Sequence, residues 1–148
     1  MNGGSGGVNI GIISVKAVAL GTAVTLVLDM LIGGTTIFLF GQSAFQPGIS
    51  EAEATRMLGA ITHDTSFLLV ALVLGTLTTI VGGYVCAKVA KRLPYMNAAA
   101  MGVVGLVVGV LLADGDSPLW FTISGLLVVL PSALLGGYFA KVHAHADV

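Results

Sequence analysis

Long unbroken apolar runs dominate the chain, and polar positions fall between them rather than alternating with them. Four stretches stand out, at about 15–40, 65–87, 95–113 and 117–140. An α-helix rises about 1.5 Å per residue, so about 20 apolar residues cross a hydrocarbon layer about 30 Å thick. Beyond Lys16, Asp29 is the one charge in the first run, and the other three runs hold none. Barrel strands would instead alternate with period two over segments of about ten residues. The segment from Leu68 to Leu74, Leu-Leu-Val-Ala-Leu-Val-Leu, is continuous. The pattern predicts an all-α membrane protein: one domain, built as a four-transmembrane-helix bundle. The first run exceeds the roughly 7–15 residues of a signal-peptide core, and no clean small-residue cleavage site follows it. It is expected to stay as a helix.

The segments between the runs predict lesser elements. Residues 1–13, with Gly3-Gly4-Ser5-Gly6-Gly7, read as a flexible arm, because glycine loses much entropy in a helix. In the first loop Pro47-Gly48 makes a turn, and Ser50-Glu51-Ala52-Glu53 fits a helix-starting capping box. Ala54, Met57, Leu58 and Ile61 then follow at i, i+3, i+4 and i+7. That spacing predicts a short amphipathic helix over about 50–61, lying at the outer surface as a shield for the bundle. Lys88 to Pro94 reads as a basic turn, and Asp114-Gly115-Asp116-Ser117-Pro118 as a tight acidic one.

Composition sharpens the class. Hydrophobic residues make up 56% of the 148 and charged ones 9%, with a mean hydropathy of +1.02. A soluble domain carries about 25% charged residues to cover its core. A soluble globule, a disordered chain and, at net charge −1, a nucleic-acid binder are all disfavoured. A single cysteine excludes an internal disulfide or a multi-cysteine metal centre. With four spans, the N-terminus, the second loop and the C-terminus share one side. That side holds Lys16, Lys88, Lys91, Arg92 and Lys141, whereas the other holds only Arg56 among basic residues. The positive-inside rule then puts both termini in the cytoplasm. Trp120 and Phe121 fall at the outer interface, and Tyr84, Tyr95 and Tyr138 at the inner one. The expected setting is a bacterial inner membrane, with lipids as immediate partners.

Small residues suggest how the helices meet. Gly82-Gly83-Tyr84 near the end of the second run matches Gly136-Gly137-Tyr138 near the end of the fourth. The match predicts two hairpins forming a parallel repeat about an axis along the membrane normal. Glycine admits a close neighbour, and an interfacial tyrosine anchors the helix at headgroup level. In the third run Ala98, Gly102, Gly105 and Gly109 recur on one helical face, expected to contact a helix of this chain or of another subunit. Gly33-Gly34 and Gly75 offer further flat spots, and Pro131 is expected to kink the fourth run. The repeated Gly-Gly-Tyr ends resemble those of uncharacterised bacterial four-helix inner-membrane proteins. That resemblance implies the fold and no activity.

Asp29 is the one ionisable group deep in a span. A charge there costs about 2.5–3.5 kcal/mol on insertion scales, so it needs a partner, water or a proton. Thr25 and Thr22 lie one and two turns before it, and Thr76, Thr78 and Thr79 fall at comparable depth in the second run. The group reads either as a proton- or cation-binding site or as a carboxyl that locks helices together. No histidine lies within a span to hold a haem, and His143 with His145 on the tail makes a poor metal site. No cofactor is expected. Four spans with an early carboxylate are similar in outline to the small multidrug-resistance transporters, which work as dimers. This chain has Asp where they carry Glu, adds the outer helix and shows a stronger charge bias. The expectation is a non-catalytic accessory or scaffold subunit of a larger membrane complex, joined to other integral subunits as a hetero- or homo-oligomer. The alternative is a small homo-oligomeric proton- or cation-coupled transporter using Asp29.

Overall fold

The structure, a computed structural model, describes residues 9–10, 13–112 and 117–146. Within them run β1 (Asn9–Ile10), β2 (Ile13–Ser14), α1 (Val15–Phe40), a 3₁₀ turn (Gln42–Phe45), α2 (Glu51–Ile61), α3 (Thr65–Ala90), α4 (Pro94–Leu112) and α5 (Leu119–Ala146). Helices α1, α3, α4 and α5 are long and apolar enough to cross a membrane, which marks the chain as an integral membrane protein.

Local chemistry sets the helix ends. Ser14 Oγ accepts from the Ala17 amide and caps α1, while Ser50 Oγ accepts from the Glu53 amide and caps α2. Asp64 takes both the Ser66 and Phe67 amides at the start of α3. That helix runs past residue 87 to Ala90, because nothing breaks it until Lys91 turns left-handed at φ 58°. Pro94 opens α4, where its missing N–H costs nothing. Helix α5 starts at Leu119, two residues later than predicted, because the Pro118 carbonyl accepts its first amides, from Phe121 and Thr122. It continues past residue 140 to Ala146 and runs unbroken through Pro131. Ser132 Oγ donates to the Val128 carbonyl rather than to the Leu127 carbonyl, whose usual amide donor Pro131 lacks.

Of the expected arm, residues 1–8 and 11–12 lie outside the described residues, and Asn9–Ile10 pairs antiparallel with Ile13–Ser14 just ahead of α1; this pair is termed the N-terminal hairpin. The acidic turn at 113–116 and the end of the tail at 147–148 also lie outside them. In α2 the half-buried positions are Ala54, Met57, Leu58 and Ile61, and the rest of the helix is exposed.

Helix α3 is the hub. It packs most extensively against α5 and then α1, and α4 closes against α5 and α3. The glycines show how tightly. A Cβ on Gly21 would meet Cys86 Cβ at 2.6 Å and the Gly82 carbonyl at 2.8 Å. On Gly82 it would run into Thr25 Oγ1, on Gly83 into the backbone of Ala133, and on Gly136 into that of Ile80, Gly83 and Tyr84. Gly102 lies against Ala133 and Leu130, and Gly137 against Ala98. Each pair is divided between two neighbours. Gly82 faces α1 and Gly83 faces α5, while Gly136 faces α3 and Gly137 faces α4.

All of these contacts gather at one end, where the N-terminal hairpin, the α3–α4 turn and the end of α5 meet. The buried core of Ala17, Cys86, Met101 and Ala133 lies there too. Toward the other end the helices loosen. Gly33, Gly34, Gly75, Gly109 and Gly125 have nothing within 4 Å of an added Cβ, and Gly105 reaches only Val129, at 3.7 Å. Along the stripe in α4, Ala98 and Gly102 are buried, Gly105 is half-buried and Gly109 is exposed. The close glycine contacts between long helices thus mark one end as closed; at the other, open end Phe67 and Leu68 are still buried and Gly41 lies against Leu58 of α2.

Candidate functional site

Asp29 sits near the middle of the 26-residue α1, where the packing begins to open. Its carboxylate accepts a hydrogen bond from Thr78 Oγ1 on α3, a hydroxyl whose residue is only 2% exposed. Thr78 Oγ1 also lies 2.9 Å from the Gly75 carbonyl, which can take the same proton. A hydroxyl has one hydrogen and two lone pairs. The geometry therefore specifies two arrangements. With Asp29 ionised, Thr78 donates to the carboxylate. With Asp29 protonated, the acid donates to Thr78, and Thr78 donates to Gly75.

The other threonines read from the sequence do not reach the carboxyl. Thr25 donates to the Gly21 carbonyl, Thr76 to Leu72 and Thr79 to Gly75, each four residues back along its own helix. Apolar surroundings leave these hydroxyls little besides the i−4 carbonyl of their own helix. Thr22 Oγ1 is buried with no hydrogen-bond partner among the described residues. The expected polar cluster thus reduces to Asp29 and Thr78, beside Thr25, Thr76 and Thr79, which bond along their own helices.

A cleft of about 170 Å³ extends from Asp29 toward the open end. Asp29, Ile32, Gly33 and Thr36 line it from α1 at i, i+3, i+4 and i+7, and Phe67, Ala71, Leu74 and Gly75 line it from α3. Thr36 turns its hydroxyl back onto the Ile32 carbonyl, which leaves its methyl group to the cleft wall. The edge-to-face pair of Phe40 and Phe67, with ring centroids 5.6 Å apart, stands at the far end. Asp29 itself is exposed at the surface of the single chain.

A second polar centre lies at the closed end and rests on Asn97, a residue the apolar pattern of the third run hides. Asn97 is 1% exposed. Its Oδ1 accepts from the Ser14 amide at 2.8 Å, and its Nδ2 donates to the Arg92 and Leu93 carbonyls. Its own carbonyl accepts from Cys86 Sγ at 3.3 Å. One side chain thereby joins the N-terminal hairpin to the α3–α4 turn, where Leu93 sits at φ 47°. The available signal was an amide three residues after a helix-opening proline, within reach of the turn's carbonyls.

Around the same end aromatic and basic groups alternate. Lys88 Nζ lies 5.5 Å from the centroid of Tyr84 and donates to its hydroxyl, and Lys141 Nζ lies 5.4 Å from the centroid of Tyr95. His143 stands edge-on to Tyr84. Comparison with protein-family models, curated proteins and solved structures finds no match.

Proposed function

We propose that the chain is a non-catalytic accessory or scaffold subunit of a larger membrane complex, set in a bacterial inner membrane with both termini cytoplasmic. One observation carries the reading: a mid-span carboxyl is exposed on the surface of the isolated chain, beside apolar residues such as Met30 at 79% and Leu31 at 64% exposure. A charge facing lipid at that depth costs about 2.5–3.5 kcal/mol, so covering it with protein is favourable. The small extramembrane mass agrees with such a role. Glycine faces serve as packing surfaces, and α2 acts as an amphipathic shield over the open end, with Leu58 against Gly41. The basic bias supports the orientation.

The two arrangements of Thr78 favour a second reading, a homo-oligomeric proton- or cation-coupled transporter in which Asp29 titrates. Purification in mild detergent separates the two. Stoichiometric larger subunits are expected to co-purify with the chain. A lone homodimer whose proton-coupled flux in liposomes disappears with Asp29→Asn would replace the subunit reading with the transporter.

A further inference from the structure

We propose that the α1–α3 cleft seats a transmembrane helix of a different protein, which carries one lysine or arginine at mid-membrane to pair with Asp29; this rests on the subunit reading above. The carboxylate has two oxygens and about four acceptor positions. Thr78 supplies one bond, and among the described residues no other hydrogen bond and no salt bridge reaches Asp29. Asp29 lines the cleft and is exposed at its surface, so the remaining acceptor positions are open to a partner there.

The shape of the cleft suits a helix lying across its mouth with one side chain inserted. Gly33 and Gly75 lie on its two walls with open space before them, so a partner backbone can approach closely there. A cleft of about 170 Å³ has room for a long side chain but not for a helix. Exposed apolar residues on both helices, Met30 and Leu31 on α1 with Val70 and Val73 on α3, offer lipid-like surface to the remainder of the partner.

A second copy of the chain does not supply the cation. Lys16 begins α1, Arg56 is in α2, Lys88, Lys91 and Arg92 surround the α3–α4 turn, and Lys141 lies near the end of α5. None is at the depth of Asp29. Two copies facing each other through this cleft would bring carboxyl against carboxyl, and like charges repel most where the dielectric is low. A basic residue on a partner helix is itself costly in lipid, so each charge removes the other's penalty.

The test places the protein in phosphatidylcholine vesicles with synthetic leucine–alanine transmembrane peptides of about 20 apolar residues, bearing either a central lysine or a central leucine. Energy transfer is read between the peptide and a dye on Thr62→Cys in a Cys86→Ala background. The lysine peptide is expected to associate about tenfold more tightly than the leucine peptide, near the upper range of polar contacts between membrane helices. Asp29→Asn is expected to bring the two peptides to within about twofold, and Asp29→Glu to retain most of the preference. Equal association of both peptides with the unaltered protein overturns the pairing. So does self-association that the lysine peptide fails to displace. In either case stoichiometric co-purification of larger subunits still upholds the subunit reading, whereas a lone homodimer in detergent defeats that reading itself.

Discussion

Asn97 engages its oxygen and its amide hydrogens at once, and so bridges the N-terminal hairpin and the α3–α4 turn. Replacing it with leucine keeps the bulk but strands the Ser14 amide and two carbonyls of the turn, and each buried polar group left unpaired costs about 1–3 kcal/mol. Asn97→Leu is expected to lower the midpoint of thermal unfolding in detergent markedly. A thiol-reactive dye reports it directly, because Cys86 is fully buried in the native fold. An unchanged midpoint would show that the hairpin and the turn hold without this bridge. Asp29 was legible in the sequence because an isolated charge in an apolar run is conspicuous. Asn97 was not, because a neutral amide barely alters hydropathy and its partners lie in the N-terminal hairpin and the α3–α4 turn. Among the threonines, depth along the helix was readable but orientation was not. Thr78 turns toward α1, while Thr76 and Thr79, two residues before it and one after, bond to their own backbone.

At the scale of helices, the Gly-Gly pairs lie at the crossings of α3 and α5 with their neighbours. Gly136→Ala would drive a methyl group into the α3 backbone, and overpacking of this kind costs about 1–3 kcal/mol. Gly83→Ala meets the Ala133 backbone and is expected to behave alike. Gly109→Ala and Gly125→Ala enter open space and are expected to leave thermal stability in detergent within about 0.5 kcal/mol, as substitutions away from packed features do. Equal sensitivity at all four positions would contradict the division into a closed and an open end. The spacing of Ala98, Gly102, Gly105 and Gly109 marks one face of α4, and the sequence shows that face clearly. How far a neighbour follows it depends on the angle between helices, which residue spacing does not encode. The contact with α5 is tight at Gly102 and gone by Gly109. Helix ends were readable wherever a cap is local, as at Ser50 and Asp64. The end of α3 was extended by Lys88 and its neighbours, because a charged residue past the apolar run need not stop a helix.

For the whole molecule, the count of membrane-crossing helices was the most legible property, since it depends on length and hydropathy alone. The orientation rests on the distribution of lysine and arginine, and it is open to a direct test. In a Cys86→Ala background, Thr62→Cys between α2 and α3 is expected to react with an impermeant maleimide added to intact cells. His143→Cys, exposed near the end of α5, is expected to react only after permeabilisation. The opposite pattern would invert the proposed topology. The order of helices around α3 was not legible, because four uniformly apolar helices offer no amphipathic face to say which side turns inward. Glycine contacts and a few buried polar groups decide it instead.

The contrast between the two ends also bears on the lipid around the protein. At Gly82, Gly83, Gly136 and Gly137 the backbones converge and displace a small patch of one leaflet. At Gly34, Gly109 and Gly125 nothing lies within 4 Å of an added Cβ, so acyl chains can lie directly against bare backbone there. Lipid tails thus complete at one end the packing that the chain's own backbones complete at the other.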